Sequence, residues 1–262
     1  MKNKNVLILA FFTAIVVTGC TSTPSLEKQL ADNPEILFKA IEKNPERFMQ
    51  AVQVAASSAR DKVEAKKREE QAKELAAAIN NPLIPEIRKD EAVLGPSDAP
   101  ITLVTYSDFE CPYCSRGSKT VNSLLQKYEG KIRFVYKHLP LSFHPHAKIS
   151  AQYFEGIKLQ NTKLAFDFHD KIFAQQTSLR NGEKFLKEVA KDLGVNMTKL
   201  AKDINSKEVL DTIERHQAEA EKFQMQGTPG FILNGIPVRG AYPVEHFVAL
   251  IEKLKETGKL TI

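Results

Sequence analysis

Residues 105–128 read TYSDFECPYCSRGSKTVNSLLQKY and hold Cys111 and Cys114, two of the chain's 3 cysteines. The pair stands at a junction. Upstream, Ile101 to Tyr106 is rich in β-branched residues and reads as a strand. Downstream, residues 115–129 read as a helix, and KIRFVYKHL (131–139) as a second strand. This order predicts a parallel βαβ unit with a right-handed crossover. From His146 to about Gln226 the signals are helical, broken or capped at Asn181-Gly182, Asn196 and Ser206. GFILNGIPVRGAY (230–242) then gives two short strands about Asn234-Gly235, the dipeptide of a type I′ hairpin. A last helix starts at Pro243 and stops before Gly258. The class is α/β: βαβ, a helical block, then ββα.

A CxxC pair has three common readings. A zinc site needs two more nitrogen or sulfur ligands. The only close histidines, His144 and His146 in a His-Pro-His loop, read as structural, so no metal is expected. An inert disulfide at a helix start closes little chain entropy and makes a poor staple. A redox dithiol suits the position, because unpaired N–H groups and the positive end of the helix dipole favour a thiolate. Pro112 fits the first helical turn, where its missing N–H is no loss. Cys111 is then the attacking thiol, and Cys114, one turn in, resolves the mixed disulfide.

The chain has 262 residues, a formal charge of +5 and 15 Phe, enough for one cored domain plus something extra. No basic tract interleaves with aromatics, so no nucleic-acid partner is expected. Walker, GxGxxG and HExxH motifs are absent from the sequence. Residues 1–19 read as a signal peptide: Lys2 and Lys4 precede an apolar run from Val6 to Val17 that is too short to span a bilayer. Val17-Thr18-Gly19-Cys20 resembles the lipobox of bacterial lipoproteins, which implies lipidation of Cys20 and attachment to a membrane surface.

Residues 20–85 read as a helical stalk. Asn33-Pro34-Glu35 and Asn44-Pro45-Glu46 are matching helix starts, and the second helix runs to about Ile79. Leu37, Ile41, Phe48, Val52 and Ala55 form one apolar stripe, followed by an Ala/Glu/Lys-rich stretch with few large apolar groups. Such a segment has no core of its own, and self-association is the expected use of the stripe, with folding back onto the second domain as the alternative. The Pro-rich NPLIPEIRKDEAVLGPSDAP (81–100) leads into that domain, residues 86–262.

Three motifs in order, DFECPYC after a strand, HLPLSFHPHAKISAQ, and GTPGFILNG near the end, resemble the DsbA-like thioredoxin-fold thiol–disulfide oxidoreductases. The resemblance covers roughly residues 90–258. It implies a thioredoxin fold with a helical domain inserted at about 144–226. It also implies that Pro229 is a cis-proline facing the thiols, with Thr228 presenting backbone groups to a substrate. CPYC with Thr before the cis-proline is similar to the isomerase DsbG, and the N-terminal helices are similar to the oligomerising region of ScsC-type proteins. Strong oxidants of the family carry Pro-His between the cysteines; with Pro112-Tyr113, a less depressed thiol pKa and a less oxidising pair are expected. Relatives often place a carboxylate six residues before the first cysteine. Thr105 stands there, and Asp108 and Glu110 are expected near the strand end, more exposed.

The resemblance implies an enzyme that forms or isomerises disulfides through the Cys111–Cys114 pair, without a cofactor. Its partners would be cysteine-containing envelope proteins and a membrane redox protein. Its place would be the periplasmic face of the envelope, lipid-anchored at the outer membrane. The alternatives are a Cu(I)-binding lipoprotein and an interaction lipoprotein with a vestigial thioredoxin-like domain.

Overall fold

The computed structural model describes residues 25–262. The signal peptide and Cys20 lie outside the described residues. The chain divides into two compact units, Met1–Arg68 and Glu69–Ile262.

The described part of the first unit is helical. Ser25 caps α1 (Leu26–Asp32), its hydroxyl accepting from Lys28 N. Helix α2 (Glu35–Lys43) and the start of α3 (Pro45–Asn80) follow the two Asn-Pro-Glu sequences. None of the three helices buries a residue. The stripe expected from the sequence is present as exposed Leu37, Phe48 and Val52, joined by Phe38 and Met49.

The division between units falls inside α3 rather than near residue 85. The reason is packing: Leu75, Ala78 and Ile79, in its last turns, lie against the core of the second unit. That unit is built on five strands: β1 (Ala92–Leu94), β2 (Ile101–Ser107), β3 (Ile132–His138), β4 (Gly230–Leu233) and β5 (Ile236–Arg239). Their order is β1-β3-β2-β4-β5, with β2 and β3 parallel and the other pairs antiparallel. The crossover between β2 and β3 is α4 (Pro112–Lys127), as the βαβ pattern requires. Strand β1, three residues inside the Pro-rich segment, carried no sequence signal. The hairpin turn has Asn234 at φ 44° and Gly235 at φ 88°, both positive as a type I′ turn demands.

Side chains alternate across the sheet. Ile101, Leu103, Phe134, Tyr136, Phe231 and Leu233 face one core, with Cys114, Val121 and Leu124 of α4 and Phe247 and Ile251 of α10 (Val244–Glu256). Val104, Tyr106, Val135 and Ile232 face the other, against Ala220 at the end of α9 (Lys207–Lys222) and Phe223. Between β3 and β4 the chain forms the inserted helical block: α5 (Ala147–Lys158), α6 (Thr162–Ala174), a 3-10 turn at Gln176–Asn181, α7 (Glu183–Asp192), α8 (Met197–Asp203) and α9. Asn161, Asn196 and Ser206 each cap the following helix through a side-chain oxygen. The architecture is a thioredoxin fold with a helical insertion. Among the described residues no helix is long and apolar enough to cross a membrane.

Candidate active site

Strand β2 ends at Ser107, and the chain turns through Asp108, Phe109 and Glu110 into Cys111, the N-cap of α4. Pro112 begins the helix, so the Cys111 sulfur stands at the unpaired N–H end. Both cysteines are free thiols, 4% and 1% exposed, while Pro112 and Tyr113 between them are exposed. Across from them the Thr228–Pro229 peptide is cis, and the Cys111 sulfur lies 3.4 Å from Thr228 O. Gly117 makes this approach possible. A Cβ there would lie 3.1 Å from both Pro229 Cγ and the Phe231 ring. Cys111, Pro112, Tyr113, Cys114, Thr228 and Pro229 thus share one site although more than a hundred residues separate the two segments.

The two thiols are pushed in opposite directions. A hydrogen bond from Cys114 holds Cys111 down to about 5, with the Thr228 hydroxyl and the backbone N–H groups of Cys114 and Tyr113 assisting against burial. Thr228 Oγ1 is buried with no conventional partner, so its proton is available to a thiolate. Burial pushes the Cys114 thiol up, and the hydrogen bond and charge of Cys111 add to that; Ser107 and the Asp108 N–H work against it. At neutral pH Cys111 is the thiolate and Cys114 keeps its proton. The acidity needs no histidine between the cysteines. Tyr113 offers no positive charge of its own, but the Arg116 guanidinium stands over its ring at 4.3 Å.

Asp108 departs from its sequence expectation: it is buried, its carboxylate wholly withdrawn from solvent. The cause is the loop that opens the insertion. Asp108 Oδ1 accepts from Glu110 N at 2.7 Å, and Oδ2 accepts from Leu141 N at 2.8 Å and pairs with His144 Nδ1 at 2.7 Å. Half-buried Glu110 accepts from His146 N at 2.6 Å. The His-Pro-His segment is a clamp on the turn that leads into Cys111. A second clamp has no local sequence signal: Gln176 Nε2 donates to Phe109 O and to Cys111 O, at 2.8 Å each. Phe109 itself is 1% exposed, with Tyr136, His138, Phe154, Phe168, His169 and Phe173 around its ring.

Among the described residues His138, Glu155 and His216 bring potential metal-ligand atoms within 4.8 Å of one another. Those atoms are already paired. His138 Nε2 bonds Glu155 Oε1 at 2.9 Å, His216 Nδ1 accepts from His138 N at 3.2 Å, and His216 Nε2 bonds Glu91 Oε2 at 2.8 Å. Burial pushes Glu155 up, but His138 and Lys158 outweigh it and bring the carboxyl to about 2. Burial lowers His138, so at neutral pH it is an uncharged donor and the compensating cation is Lys158. The cluster reads as a structural network with its charges balanced inside the protein.

A family model described as thioredoxin matches residues 87–253. The Na(+)/H(+) antiporter NhaA of Herminiimonas arsenicoxydans is 31% identical over 191 residues, 73% of this chain and 29% of that protein. The chain thus spans less than a third of the length of the curated relatives it matches. Among solved structures, alpha-DsbA1 of Wolbachia pipientis aligns with a TM-score of 0.59 at 21% identity, over 69% of this chain and 96% of that one. The catalytic domain of Proteus mirabilis ScsC aligns with a TM-score of 0.56 at 19% identity, over 63% and 89%. At these identities the likeness is one of fold.

Proposed function

This chain belongs to the thioredoxin family, and from the geometry of its thiol pair we propose that it is a thiol–disulfide oxidoreductase acting on protein disulfides. The observation that carries this is the split between the two sulfurs. An acidic thiol at a helix N-terminus lies beside a buried, protonated one, and the cis-proline loop faces both.

In the reductive direction the Cys111 thiolate attacks one sulfur of a substrate disulfide, and the other substrate sulfur leaves. Cys114, deprotonated, attacks Cys111 Sγ; the mixed disulfide breaks, the substrate leaves as a thiol, and the Cys111–Cys114 disulfide forms. Oxidation of a substrate dithiol is the reverse. Stabilising the Cys111 thiolate favours the reduced enzyme and so makes its disulfide a better oxidant. The Thr228 backbone, beside the reacting sulfur, is the surface for an extended substrate strand.

Proposed clients are cysteine-containing envelope proteins, reached from the periplasmic face by a lipid on Cys20 at the outer membrane, with a membrane redox protein resetting the thiol pair. The proposed self-association runs through the first helices. Its support is that α1, α2 and α3 bury no residue while exposing Leu37, Phe38, Phe48, Met49 and Val52.

Insulin-disulfide reduction tests the chemistry. Cys111→Ser abolishes turnover, whereas Cys114→Ser keeps the first attack and accumulates covalent mixed disulfides. Full turnover by Cys111→Ser refutes the proposal. Alkylation trapping of the thiol state in cells separates a disulfide donor, held oxidised, from an isomerase or reductase, held reduced.

A further inference from the structure

Resolution of a mixed disulfide requires Cys114 to lose a proton, yet Cys114 is 1% exposed and lies among apolar groups. Thr105 faces the same space but is no carboxylate, and its hydroxyl is directed to Gly230 O at 3.4 Å. The proton needs another route.

Behind Cys114, between β2, β3, α4 and α6, is a cavity of about 20 Å³. One water needs about 10–15 Å³ on this measure and two or more polar partners. Its polar lining includes Cys114, Thr105, Ser107, Tyr136, His169 and Asp170, with Ser118 and Asn122 of α4. Tyr136 Oη is buried with no hydrogen-bond partner, an arrangement that a bound water completes. Cys114 Sγ accepts from Asp108 N at 3.4 Å, and Ser107, next to Asp108, lines the same cavity. His169 is 5% exposed, and its Nδ1 lies 2.8 Å from Asp170 Oδ1. Asp170, the next residue, has a side chain 58% exposed. With Nδ1 turned to that side chain, Nε2 is the ring nitrogen left for a second partner. One residue of the pair is buried at the cavity wall, and the other reaches solvent.

We infer that this cavity binds a water molecule, and that the water, His169 and Asp170 together carry the proton between Cys114 Sγ and solvent. The inference rests on the dithiol reading above. In the resolving step the Cys114 S–H bond breaks, the proton passes to the water and on to His169 Nε2, and Nδ1–H is released along Asp170. The Cys114 electron pair forms the bond to Cys111 Sγ, and the bond from Cys111 to the substrate sulfur breaks. That sulfur leaves as a thiolate and takes a proton from solvent. In the oxidative direction Cys114 leaves as a thiolate and is reprotonated along the same path. The titratable groups facing His169 are Asp170 on its own helix, Tyr136 of β3 at 4.7 Å between ring centroids, and Cys114 of α4 across the cavity. Its other ring neighbours, Phe109, Phe166 and Phe173, are uncharged. His169 and Asp170 act through the water, so they are positioning residues for a proton.

The test uses the reduced protein with one equivalent of dithionitrobenzoate. Coloured thiolate is released first when Cys111 attacks and again when Cys114 resolves. In His169→Gln the second release slows by about tenfold or more at neutral pH while the first is unchanged, and the deficit closes as hydroxide rises. Asp170→Asn, on an exposed side chain that leaves the core intact, slows the second release severalfold with the same pH signature. Second-release rates within about twofold of the parent in both variants across the pH range overturn the relay, as does equal slowing of both releases. A parent protein that never gives the second release refutes the dithiol reading itself.

Discussion

Replacing Thr228 with valine tests how the acidity of Cys111 is built. The substitution keeps the β-branched shape and removes one hydroxyl. In the folded protein that hydroxyl is buried without a conventional partner and lowers the Cys111 pKa. A hydrogen bond to a charged group contributes roughly 1.5–3 kcal/mol. At about 1.36 kcal/mol per pKa unit, that is roughly one to two units. Thr228→Val should therefore raise the Cys111 midpoint from about 5 to about 6–7. The thiolate stabilises only the reduced form, so the potential should fall by roughly 30–60 mV, since about 1.4 kcal/mol corresponds to about 30 mV in a two-electron couple. Thiolate absorbance against pH reads the midpoint, and equilibration with glutathione reads the potential. The oxidised protein carries no thiolate, and its stability should be unchanged. An unmoved midpoint in a folded variant, or a midpoint shift without a change of potential, refutes the reasoning.

Cys114→Ala removes the largest contribution and should raise the Cys111 midpoint further than Thr228→Val, in the same titration. The Cys111 pKa is depressed by folding, so its contribution to the reduced protein is present above the ordinary thiol pKa and is lost as pH falls through about 5; denaturant titrations of the reduced form should weaken relative to the oxidised form over that window. Glu155 is depressed likewise, and its contribution should be lost as pH falls from about 4.5 towards about 2, an acid transition that Glu155→Gln shifts. Phe109→Ala, at 1% exposure, should cost about 3–5 kcal/mol in denaturant unfolding. Deletion of residues 26–68 should give a monomer by light scattering with its redox chemistry intact. Deletion through Asn80 should lower the melting temperature as well, because it strips Leu75, Ala78 and Ile79 from the core.

The thiol pair and the hairpin were legible in the sequence because each is marked by local chemistry. CxxC at a strand–helix junction, Pro112 in the first turn and Asn234-Gly235 in the hairpin are short-range signals whose meaning does not depend on distant residues. What escaped the sequence is what distant residues decide. Asp108 reads as a strand-end acid and is buried only because Leu141, His144 and the loop around them close over it. Gln176 lies in a 3-10 turn with no pattern and matters because its amide reaches two carbonyls of the turn that carries Cys111. Strand β1 is three residues long and exists by pairing with β3, not by propensity. His169 falls in a helix rich in Phe and carries no motif; the cavity it lines appears only when β3 and α4 are brought beside that helix.

The contact between Cys111 and Thr228 spans 117 residues of chain. As the polypeptide emerges, the cysteines come first, and their surroundings arrive piecemeal: Tyr136, then the insertion with His169 and Gln176, and last the Thr228–Pro229 segment. Before that point Cys111 lacks the hydroxyl that helps to lower its pKa. A half-made chain therefore carries a Cys111 whose acidity rests on Cys114 and the helix start alone. The last increment of Cys111 acidity thus comes only when the fold is complete, so the proposed exchange chemistry reaches full strength in the finished chain and not before.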